Sequence, residues 1–97
     1  MSLALKTDVS GYKKGSIRNA VSFALNSALA QARQRREHYA ELCQKFEKKH
    51  GMTSDEFINK FDSGLLGDGE DFFDWYAAKR GLDVWHERFE ILSGVSV

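Results

Sequence analysis

Proline is absent from the sequence, and cysteine occurs once, at position 43. Without proline, no helix is forced to end or bend for want of a backbone N–H. A single thiol forms no intrachain disulfide, so Cys43 is expected as a buried thiol on a helix. Long apolar runs are missing too. None reaches the ~18 residues of a membrane span, and the best candidate, AVSFALNSALAQA, has 13 residues and is broken by Asn26 and Ser27. The N-terminus lacks the basic flank and apolar centre of an export signal, so the expectation is a cytoplasmic protein without membrane association.

Chemical signatures are equally scarce. The glycines of GDGED (67–71) are not followed by the GK[ST] of a phosphate loop, and the acidic neighbours would repel phosphate. The same stretch lacks the ligand spacing and the bidentate Glu at position twelve of a calcium loop. Asp83, His86, Glu87 and Glu90 share one stretch at helical spacing, which is half of a carboxylate–histidine metal site. The facing half is incomplete, because Glu37, His38 and Glu41 sit beside Arg33, Arg35 and Arg36. No local pattern pairs Ser, Cys and His into a nucleophilic site. The expectation is a non-catalytic chain with no cofactor and no metal.

What is present describes one small folded domain. Ninety-seven residues, 42% hydrophobic and 29% charged, suit a single core and argue against global disorder. The net charge is zero but unevenly spread. Residues 1–50 hold ten Lys/Arg against four Asp/Glu, and residues 51–97 hold four against ten, so the halves carry +6 and −6. Two segments folded against each other would cancel such a split, whereas a basic nucleic-acid arm beside an acidic tail would keep it apart.

Residues 1–15 read as an arm. Leu3, Leu5, Thr7 and Val9 alternate with polar or small residues, the period of a short β-strand, and SGYKKG (10–15) marks a turn. Ser16 is placed to cap a helix that continues to His50 without an internal glycine. Val21, Leu25, Ala28, Ala32, Arg35, Tyr39, Leu42 and Phe46 follow steps of four and three, with only Arg35 breaking an apolar seam. Lys48, Lys49 and His50 followed by Gly51 make a helix C-terminus. Thr53 and Glu56 have the spacing of a capping box for a short helix over 53–63, with Phe57 and Phe61 on one stripe and Gly64 placed to end it.

The stretch FDSGLLGDGEDFFDWYAAKRG (61–81) crowds carboxylates and rings together. Asp68 and Asp71 are suited to a helix N-terminus. After them Trp75, Ala78, Leu82, Trp85, Phe89 and Leu92 repeat the four–three rhythm of a packing stripe over a helix 68–93. Gly81, in mid-helix, marks a close approach or slight bend. The expected fold class is mainly α: a long antiparallel helical hairpin with a short connecting helix and a short N-terminal β-strand. The basic end of the first helix then lies near the acidic start of the third.

The two long helices differ in length, so part of the first, from Ile17 to Ala32, lacks a full intrachain cover. Ala20, Ala24, Ala28 and Ala32 lie four apart there, beside Leu25, a small-residue ridge that lets another helix approach closely. The expected cover is a second copy of the chain, a different protein, or both; the alternative is the chain's own N-terminal arm. A second reading is a nucleic-acid-binding regulator, with Lys13, Lys14, Arg18, Arg33, Arg35 and Arg36 contacting phosphates. A strand before helices is similar to ribbon-helix-helix DNA readers, but here the first helix runs on unbroken instead of dividing in two.

FEKKHGMTSDEFINKFDSGLLGDGEDFFDWYAAKRGLDVWHERFEIL, residues 46–92, resembles the C-terminal part of small, mostly uncharacterised helical proteins of archaea and bacteria. These read as a long helix, Gly-Met-[Ser/Thr], a short Glu-Phe helix, an acidic Gly-Asp turn and a Trp-rich helix. Some resemble antitoxin components of two-protein toxin–antitoxin cassettes. The resemblance implies a stoichiometric protein partner and no catalysis, and it carries no binding residue of its own.

Overall fold

A computed structural model describes residues 9–67, 69 and 71–97. Over these the chain forms three helices: α1 (Lys14–His50), α2 (Ser54–Asp62) and α3 (Phe72–Ser93). The strand expected over 3–9 lies, apart from Val9, outside the described residues, as does the expected cap Asp68.

α1 and α3 run antiparallel, as their facing pairs show. His50 meets Phe72 with ring centroids 5.4 Å apart, and Phe46 stacks on Trp75 at 5.8 Å. Tyr39 lies against Gly81, Arg35 against Trp85 and Arg36 against Phe89. Arg35 therefore interrupts the apolar seam without breaking the packing, because its guanidinium sits 5.2 Å from the Trp85 ring centre. α1 has 37 residues and α3 has 22. At 1.5 Å per residue α1 is longer by roughly 22 Å.

The core lies at the closed end. Trp75 and Phe57 are fully buried and stack in parallel at 4.0 Å, while His50 stacks on Trp75 at 5.2 Å. The indole Nε1–H donates to Ser54 Oγ at 2.9 Å, and Ser54 N–H donates to Glu47 Oε2 at 2.8 Å. One serine thus ties α1, α2 and α3 together. Cys43 is buried beside it, and burial pushes its thiol pKa up. The Lys79 ammonium is held charged, first by its hydrogen bond to Asp83 at 2.8 Å on its own helix, and it also pairs with Asp55 of α2 at 3.2 Å.

Helix ends follow local chemistry. Gly51, at φ 66°, donates its N–H to Glu47 C=O and closes α1. Thr53 Oγ1 accepts from Glu56 N–H at 3.1 Å and opens α2. Gly64, at φ 73°, and Leu65 donate to the carbonyls of Phe61 and Lys60, the paired bonds of a Schellman stop.

Two starts differ from the sequence reading. α1 begins at Lys14, not Ser16, because Lys13 is extended and its carbonyl already accepts from Ser16 and Ile17 N–H. α3 begins at Phe72, after Asp71, whose side chain makes no cap hydrogen bond. That carboxylate is instead taken by α1, accepting from Lys49 Nζ at 2.8 Å and meeting His50 Nε2 at 3.0 Å.

These contacts, Lys49 first and His50 second, hold the Asp71 pKa down at about 2 from an ordinary 3.8. A carboxylate whose pKa is lowered by folding stabilises the fold above its unfolded value and loses that contribution as pH falls through the folded value. Wild-type thermal midpoints are therefore expected to fall between about pH 4 and pH 2 with a component that Asp71→Asn lacks. Circular-dichroism melts across that window check this, and parallel curves for the two proteins would contradict it. Salt should flatten the difference, since Lys49 is mostly exposed.

Candidate interaction surface

The antiparallel register sets where α3 runs out. With His50 facing Phe72 and Arg36 facing Phe89, Ser93 comes level with about residue 30 of α1. The stretch of α1 from Lys14 to Leu29 projects beyond it, about 24 Å of helix. The molecule is correspondingly long, 62 × 22 × 19 Å with a radius of gyration of 19.3 Å, where a compact chain of this size has about 13 Å.

Through most of this projection and just past it, residues 19–32 carry no charged side chain on any face. A solvated helix of four turns in a chain that is 29% charged would be expected to alternate polar charge with its apolar stripe. Ala20, Ala24 and Ala28 are exposed, and Leu25 is half-buried. Ala32 is fully buried. A step of four residues overshoots a whole helical turn, so the alanine row winds slowly round the axis. By its fourth member it has rotated into the hairpin and serves intrachain packing. The half-buried Ile17, Val21, Leu25 and Leu29 continue the line of Ala32 toward the N-terminus.

The basic residues divide into two sets. Lys13, Lys14 and Arg18 are exposed at the projecting end. Arg33 and Arg36 instead lie 5.7 and 3.9 Å from the Phe89 ring centre, and Arg35 shares Trp85 with Arg88. Cation–π packing on α3 thus anchors the stems of the second set. Among the described residues none of these six is in a salt bridge.

The Asp83–Glu90 stretch pairs within its own helix: Asp83 takes Lys79, and His86 Nε2 lies 3.6 Å from Glu90 Oε1. Among the described residues no group of three or more His, Cys, Asp or Glu is placed to hold a metal ion, and no helix is long and apolar enough to cross a membrane.

Two surface features escape sequence reasoning. Phe23 is 75% exposed on the projecting half, though its position off the four–three seam could have shown it. A groove lined by Tyr39, Leu42, Phe46, Asp74, Ala77 and Ala78 runs along one side of the α1–α3 seam. Nothing in the sequence pattern marks it, since it exists only where the two helices meet. No family model, curated protein or solved structure matches the chain.

Proposed function

We propose that this chain is a non-catalytic protein–protein interaction module, antitoxin-like in acting by stoichiometric engagement of a protein through the projecting half of α1. The observation that carries this reading is the projection itself, the part of α1 from Lys14 to Leu29 beyond α3, within which no charge stands on any face from position 19 onward. Hydrophobic and small-residue helix surface left in water is the ordinary mark of a surface that another protein covers. The nucleic-acid reading has weaker support, because Arg33, Arg35 and Arg36 rest on the rings of Phe89 and Trp85.

The two readings separate in one experiment on tagged full-length chain recovered from its source cells. Ala24→Glu with Ala28→Glu is expected to remove a stoichiometric protein partner, whereas Arg33→Glu with Arg35→Glu and Arg36→Glu is expected to leave it bound. Loss of bound nucleic acid in the arginine variant, with no protein lost in the alanine variant, would overturn the proposal. In cells, depletion of the chain should arrest growth, and the wild type should restore it where the alanine variant does not.

A further inference from the structure

By helical spacing, the groove residues of α1 and its projecting alanines fall on the same side of the helix. A whole number of helical turns separates Ala24 from Leu42, and the same number separates Ala28 from Phe46. Each alanine therefore shares an azimuth with a groove residue. A two-fold axis across α1 near Arg33 would lay the Ala20–Ala24–Ala28 side of one copy into the Tyr39–Leu42–Phe46–Ala77 groove of another. The same operation returns the second copy's projection to the first copy's groove.

We propose that the partner of this surface is a second copy of the chain, docked antiparallel and reciprocally so that each projection fills the other's groove. This rests on the interaction reading above and names its occupant. Charge favours it. Pairing Ala24 with Leu42 puts Arg18 of one copy opposite residue 48 of the other, and Asp74 lies at about that level by the α1–α3 register. Asp74 is exposed, borders the groove and forms no ion pair among the described residues. The exposed Arg18 supplies the missing cation.

Area agrees as well. The accessible surface is 7228 Å², whereas a compact monomer of this mass exposes about 5,600 Å². The excess, about 1,600 Å² per chain spread over the whole molecule, leaves room for the ~800 Å² that each partner buries in a standard interface. Alanines on the inserted ridge let the helices approach closely. The fold therefore becomes a three-helix cross-section over its whole length, two helices from one copy and one from the other.

Light scattering during size-exclusion chromatography tests this with purified full-length protein. The wild type is expected at twice the chain mass. Ala24→Glu on the ridge and Ala77→Glu in the groove, both at exposed positions, should each weaken the dimer at least about tenfold while keeping the wild-type helical signal. A one-to-one mixture of the two variants should regain dimer, because the hetero-pair keeps one ridge and one groove intact. A wild type that stays at single-chain mass at high concentration overturns the proposal. So does a dimer insensitive to Ala77→Glu, which would mean a ridge-to-ridge contact, or a mixture that gains nothing. Because capture of a different protein is read separately, a monomeric wild type would sink the self-pairing and leave the interaction reading to stand or fall on that capture.

Discussion

Trp75→Ala should lose ~3–5 kcal/mol of folding free energy, the range for truncating a fully buried aromatic. A domain of this size has ~5–15 kcal/mol in total, and this one is elongated with few buried residues, so the variant should be largely unfolded at modest urea. The reason is specific to the position. Trp75 is 0% exposed, stacks on Phe57 at 4.0 Å and on His50 at 5.2 Å, and donates to the buried Ser54 hydroxyl. Every element meets at this ring. Trp75→Phe keeps part of the stacking but removes the N–H, leaving a gap and a serine without its donor, and is expected to cost ~1–3 kcal/mol. Urea titrations followed by far-ultraviolet circular dichroism distinguish these outcomes. A Trp75→Ala midpoint close to wild type would mean that the closed end is not where the stability resides.

Gly81→Ala should destabilise the protein even though alanine is the better helix former by ~1 kcal/mol. A Cβ at position 81 would stand 2.7, 2.8 and 2.9 Å from three ring carbons of Tyr39. The Tyr39 ring is half-buried in the α1–α3 seam, so relief requires the helices to separate or the ring to leave its place, at a net ~1–3 kcal/mol. In a Tyr39→Ala background the obstacle is gone, and the same substitution should become neutral or stabilising by up to ~1 kcal/mol. The change of sign, read as a coupling of ~2 kcal/mol in a double-mutant cycle, is the diagnostic result. Equal effects in both backgrounds would show that the glycine serves the backbone alone.

Much of the hairpin is legible in the order of residues. The four–three rhythm of Trp75, Ala78, Leu82, Trp85, Phe89 and Leu92 identifies the buried face of α3, because a helix can bury only one stripe. Gly51, Gly64 and Thr53 act where the sequence places them, since a left-handed stop or a capping hydroxyl is a matter of a few neighbouring residues. The close approach at Gly81 is one of the two readings its mid-helix position allows, although the identity of its neighbour, Tyr39, is not legible.

The starts of α1 and α3 differ from the sequence reading because a residue with two available partners cannot be assigned from its neighbours. Asp71 is well placed to cap α3, yet Lys49 and His50 lie within reach once the hairpin closes, and the charged Lys49 ammonium together with the His50 ring nitrogen takes its carboxylate in place of a local N–H. The alanine row differs in extent for a similar reason. A period of four looks like a straight ridge in sequence but winds round the helix, so Ala32 ends up inside the chain while Ala20 and Ala24 stay outside.

By itself, the sequence determined the number of helices, the faces they bury and the chemistry of three of their ends, the C-terminus of α1 and both ends of α2, since each depends on spacings of three or four residues along one stretch of backbone. Tertiary structure alone decided how far α1 projects past α3, which carboxylate binds which cation, and that a groove stands on the same side as the projecting alanines. Those features depend on the register between two helices whose contacting residues are more than twenty positions apart in sequence, as His50 and Phe72 or Phe46 and Trp75 are. Register is fixed by the simultaneous fit of Trp75, Gly81 and Phe89 against α1, which no local pattern encodes.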